Sequence, residues 1–199
     1  MLNKLILLTG EIEAPHLTPM LRLHAPTLEI VWAADAQALA AAVKDGLAGV
    51  RLVAVMSGVI VPADVLSNMD GPAYNFHPGP PEYPGSRAAG FAIYEGATSF
   101  GVTLHEMAAK VDSGPIVDVM GFDVPPGAKP QDLEVLAYLA VIQMFADYAP
   151  KLACDPSPLP QADIAWSGPV RTHGEAARLA EITSVLSEDE IGRRSRAFG

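Results

Sequence analysis

An α/β fold built on a mostly parallel, twisted sheet flanked by helices is predicted by three features of the chain. Residues 2–9, 28–34 and 50–56 are short apolar runs with the length and character of buried strands. Between the second and third lies DAQALAAAVKDGLA, residues 35–48, whose apolar residues recur at helical spacing behind Asp35 as the cap. Strands alternating with helices give a parallel sheet with right-handed crossovers. A further apolar run stops at Asn75 and His77, and in such sheets ligands bind beyond the C-terminal strand ends.

The remaining elements follow in order. Pro62 predicts a short helix over 62–69, with the proline in its first turn. Asn75 and His77 are two apart, so on a strand their side chains share a face and Phe76 takes the other. The run His77-Pro78-Gly79-Pro80-Pro81 then excludes helix and makes a stiff loop. Residues 86–97 suit a helix beside that loop, and 100–107 and 115–124 suit two strands flanking Asp112. The clearest helix is 131–149, where Leu133, Ala137, Val141, Met144, Phe145 and Tyr148 form a core-facing stripe behind Pro130. Pro156, Pro158 and Pro160 mark a linker over 150–169, and Ser187 with Glu190 reads as a capping box for a last short helix. The organisation expected is a catalytic domain over 1–150, followed by a Pro-rich linker and helical extension over 151–199.

Composition narrows the function classes. Half of the 199 residues are hydrophobic, yet no run approaches the roughly 18 apolar residues of a membrane span, so no membrane partner is expected. The apolar start is stopped by Gly10 and Glu11 too soon for a secretory signal, and the single Cys154 excludes an internal disulfide, which points to the cytoplasm. With a net charge of −10 and one dense basic group, Arg193, Arg194 and Arg196, no nucleic acid is expected as partner. No His, Cys or Glu spacing suggests a metal, and His16, His24 and His173 read as surface residues. A homodimer stays open.

The chemistry is concentrated between Tyr74 and Pro115. Asn, His and Asp together offer an amide donor for a carbonyl oxygen, an imidazole, and a carboxylate to manage a proton. Alone, each reads as a strand-end cap or a turn former. In order they make Asn75-x-His77-Pro78, then Pro84-Gly85, Gly101-Val102-Thr103-x-His105, and Val111-Asp112-x-Gly114-Pro115-Ile116. This series resembles the formyltransferases that use 10-formyltetrahydrofolate, among them the glycinamide ribonucleotide, methionyl-tRNA and sugar-nucleotide enzymes and formyltetrahydrofolate hydrolase. The likeness is good from about Arg51 to Val124.

The resemblance implies a Rossmann-like formyltransferase fold, with an abridged N-terminal half because the asparagine arrives early. It implies 10-formyltetrahydrofolate as formyl donor and a small-molecule amine as acceptor, an amino-sugar nucleotide before others. Catalysis would fall to Asn75, His77 and Asp112, with His105 nearby: Asn75 donating to the formyl oxygen, His77, partly or fully protonated, stabilising the same oxygen, and Asp112 steering the histidine and moving the proton. The pterin slot would lie between 56–61 and 106–112, with Met56, Val59, Ile60 and Met107 as walls beside Asp112. Arg87 is a candidate anion contact for the substrate at the rim, and Glu82 reads as exposed loop. Glu11 and Glu13 after the first strand, with only Gly10 beside them, argue against a phosphate loop and so against glycinamide ribonucleotide. Hydrolysis of the formyl donor, or folate binding without turnover, are the other readings.

Overall fold

The computed structural model describes residues 2–199. Six strands form one sheet, β1 (Lys4–Thr9), β2 (Glu29–Ala33), β3 (Val50–Val55), β4 (Tyr74–His77), β5 (Ser99–Glu106) and β6 (Ile116–Asp123), in the order β2-β1-β3-β4-β5-β6. The first four run parallel, and β5 lies antiparallel to both β4 and β6. The helices are α1 (Ala14–His24), α2 (Ala36–Val43), α3 (Ala63–Ser67), α4 (Ala88–Glu95), α5 (Pro130–Cys154), α6 (His173–Ala180) and α7 (Glu188–Phe198).

Alternation along the strands sends side chains into two cores. Leu5, Leu7, Val53, Val55, Phe76, Val102 and Leu104 meet α1, α4 and α5 on one face, while Ile6, Leu8, Leu52 and Ala54 meet α2 on the other. Phe76 packs on Phe145 of α5 with ring centroids 5.3 Å apart. Asn75 and His77 therefore face away from α5, on the side of the sheet where α2 packs. The strand spacing and the α5 stripe are as the sequence predicts.

Four local expectations are corrected. Pro62 is the cap of α3 and lies outside its first turn, with an extended ψ of 142°. The helix from Pro130 continues through Pro150 to Cys154, because the buried Arg51 guanidinium takes over the free carbonyls at its end. Arg51 donates to the carbonyl oxygens of Lys151, Leu152, Asp155 and Ser157 at 2.6–3.1 Å. A helix not predicted, α6, begins at His173, where Thr172 and Glu175 form a reciprocal capping box. At α7 the box is half made: Ser187 accepts from the Glu190 N–H, but the Glu190 carboxylate is engaged by the Tyr94 hydroxyl and Arg194.

Candidate active site

The polar residues converge because two strands and one loop end together. Asn75 lies opposite His105 in the antiparallel β4–β5 register, and its Nδ2 stands 3.1 Å from His105 Nε2. Asp112 arrives from the β5–β6 loop in a left-handed conformation, φ 43°, and is buried. Its Oδ2 lies 3.3 Å from His77 Nδ1, and its Oδ1 lies 3.3 Å from His105 Nε2. The Gly85 N–H donates to Oδ2 at 2.7 Å.

Carbonyl oxygens only accept, which fixes the tautomers. His77 Nε2–H donates to the Tyr83 carbonyl at 3.0 Å, and His105 Nδ1–H donates to the Glu106 carbonyl at 2.8 Å. When the rings are neutral, both remaining nitrogen lone pairs point towards the Asp112 carboxylate. The cluster is then a nest for one proton, shared between either imidazole and the carboxylate. Burial lowers the pKa of His77, outweighing Asp112 and the Tyr83 carbonyl, which raise it, while His105 adds to the lowering. The balance for His77 is therefore towards the neutral ring. Burial raises the pKa of Asp112, but the His105 hydrogen bond, the charge of His77 and the Gly85 N–H outweigh it, so the carboxyl lies below its ordinary value.

These groups line a cleft of about 650 Å³, together with Met56, Val59, Ile60, Met107 and Arg87. All nine residues singled out by sequence thus border one cavity. His77 is 4% exposed and both its nitrogens are taken by the protein. Asn75 is only half-buried, and its amide keeps a second hydrogen after the contact with His105. Among the described residues, the three non-glycine residues with positive φ are Met56, Arg87 and Asp112, and each borders the cleft. Such backbone conformations cost on the order of 1–2 kcal/mol each and concentrate at working sites.

Among the lining residues that sequence reasoning did not place at the site are Glu134, Tyr138 and His173, the last of which it read as a surface residue. The Thr172–Glu175 capping signature marks the helix that brings His173 to the rim, so that one was findable. Trp166 was missed as well. Its ring lies 5.0 Å from His105 and 5.9 Å from His77, edge to face, and its Nε1–H donates to the Gly114 carbonyl at 2.9 Å.

Solved structures share this architecture. A sugar N-formyltransferase from Shewanella superposes with a TM-score of 0.78 at 13% identity, over 99% of this chain and 88% of that one. A 4-N formyltransferase from Francisella tularensis gives 0.76 at 14% identity, over 98% and 88%. An N-formyltransferase from Helicobacter canadensis, in complex with folinic acid and dTDP-3-aminofucose, gives 0.73 at 17% identity, over 100% and 81%. No curated protein matches by sequence. The model of the formyl transferase family, however, matches residues 28–136, over half of the chain, and the protein belongs to that family.

Proposed function

We propose that the protein transfers a formyl group from 10-formyltetrahydrofolate to a small-molecule amine, with an amino-sugar nucleotide as the acceptor class. The observation that carries this reading is a single cleft with an apolar slot at the polar cluster of Asn75, His105 and Asp112. A folate suits it: Met56, Val59, Ile60 and Met107 supply walls for a flat ring system. Bound there, the donor supplies an activated one-carbon amide. Asn75 offers its second amide hydrogen to the formyl oxygen. As the amine nitrogen bonds to the formyl carbon, Asp112 accepts the proton it gives up, which His77 Nδ1 and His105 Nε2 share across their 3.3 Å contacts. The formyl–nitrogen bond of the donor then breaks and that proton passes to the leaving folate nitrogen, releasing tetrahydrofolate. Arg87 and His173, both at the rim, would meet an acidic acceptor. The Helicobacter relative, seen with both a folate and an amino-sugar nucleotide, supports the choice of acceptor class.

The test is to follow tetrahydrofolate release from 10-formyltetrahydrofolate with and without a panel of amines. Release that depends on the amine is the expected result. Release in buffer alone would mark a hydrolase, and binding without release a folate-binding protein; either would end the transfer reading.

A further inference from the structure

A non-helical strap, residues 155–172, starts on the α5 side, where Leu159 joins the core with Phe76, and then sets Trp166 against His77 and His105 on the other side. This strap is stitched to the loop after β4 by backbone bonds. Ser167 and Gly168 donate to the Pro81 carbonyl at 3.0 and 3.3 Å, Arg171 donates to that of Pro84 at 2.8 Å, and Ser86 donates to that of Arg171 at 2.9 Å. A Cβ at Gly168 would land on the Glu82 carbonyl, so the close approach requires glycine there. At the centre of the strap, Trp166 lies edge to face with both imidazoles and is pinned by its bond to Gly114. Both histidines border the cleft and Trp166 does not, so the indole reaches them from behind.

We infer that Trp166 is a positioning residue of the catalytic centre, clamping His77 and His105 beside Asp112 and keeping water from their rear side. The 3.3 Å contacts to Asp112 hold only for one rotation of each ring, and an edge-to-face indole fixes that rotation. The same indole sustains the desolvation felt by His77. The titratable groups facing that ring are Asp112 and His105.

The kinetic arm of the test rests on the transfer reading; the other does not. Trp166→Ala is expected to lower kcat about ten- to a hundredfold, as small misplacements of reacting groups do, while KM for 10-formyltetrahydrofolate changes less than about threefold. Trp166→Phe, which keeps an aromatic edge, should recover most of the rate. Independently of any acceptor, imidazole proton resonances should show His77 titrating at higher pH in Trp166→Ala than in the parent. Gly168→Ala, which lifts the strap but keeps the indole, should move it the same way. Circular dichroism checks that each variant is folded. Unchanged His77 titration in both variants overturns the inference whether or not transfer is found. So does equal loss of kcat in the Phe and Ala variants, or a rise in KM alone.

Discussion

At the scale of single residues the proposed transfer turns most on Asp112, which touches both imidazoles and one backbone N–H. Asp112→Asn keeps its shape and removes its base. Turnover should fall about 10³-fold or more, with binding of a stable 10-formyltetrahydrofolate analogue retained in calorimetry. Asn75→Ala should cost about 10²-fold in kcat as an oxygen-stabilising donor. His77 also leaves a mark on stability. Its pKa is lowered in the folded protein, so below about pH 6.5 the unfolded chain binds the proton more readily. Stability is thus full above that pH and declines as pH falls through the window beneath it. His77→Asn should flatten that decline in urea titrations between about pH 6.5 and 5. That Asn75, His77 and Asp112 come together was legible in sequence because the resemblance is carried by side chains. The downward shift of His77 was not, since it follows from burial that no residue of the motif announces.

Local backbone strain belongs to the element scale. Arg87 caps α4 at φ 62° and Met56 follows β3 at φ 49°, where the chain turns into the cleft. Comparing Arg87→Gly with Arg87→Ala isolates the strain, since both lose the guanidinium. The glycine variant should be the more stable by about 1 kcal/mol in chemical denaturation, because only alanine must hold the left-handed conformation. Its glycine-dependent flexibility should still lower activity if the conformation aims the loop. Strands and the long helix were readable because apolar runs and three–four spacing record burial directly. The reversal of β5 was not, since parallel and antiparallel strands share the same alternation. The strap escaped notice for a related reason: its hold on the loop is made of backbone bonds, and Pro-rich composition reads as linker.

Across the whole molecule, Arg51 joins the middle of the sheet to chain a hundred residues later. Its guanidinium is buried, answers four carbonyls, and lies over the Tyr74 ring at 5.7 Å. Arg51→Met should destabilise the protein by about 3 kcal/mol, since those carbonyls would lose their donors in a buried setting. Urea unfolding, with an unchanged slope, measures this. Arg51, the strap and the Asn–His–Asp cluster form one succession, from Ser157 through Leu159, which donates to the Tyr74 hydroxyl, to Trp166.

That succession has a temporal side. A ribosome delivers the sheet and both cleft histidines well before residues 157–171, at some 5–20 residues per second. The nascent chain therefore carries its histidines for a second or more without their cover, open to water and unable to fix the proton they share. A chain stalled before Trp166 would thus hold every residue of the motif and still lack the indole that clamps its imidazoles.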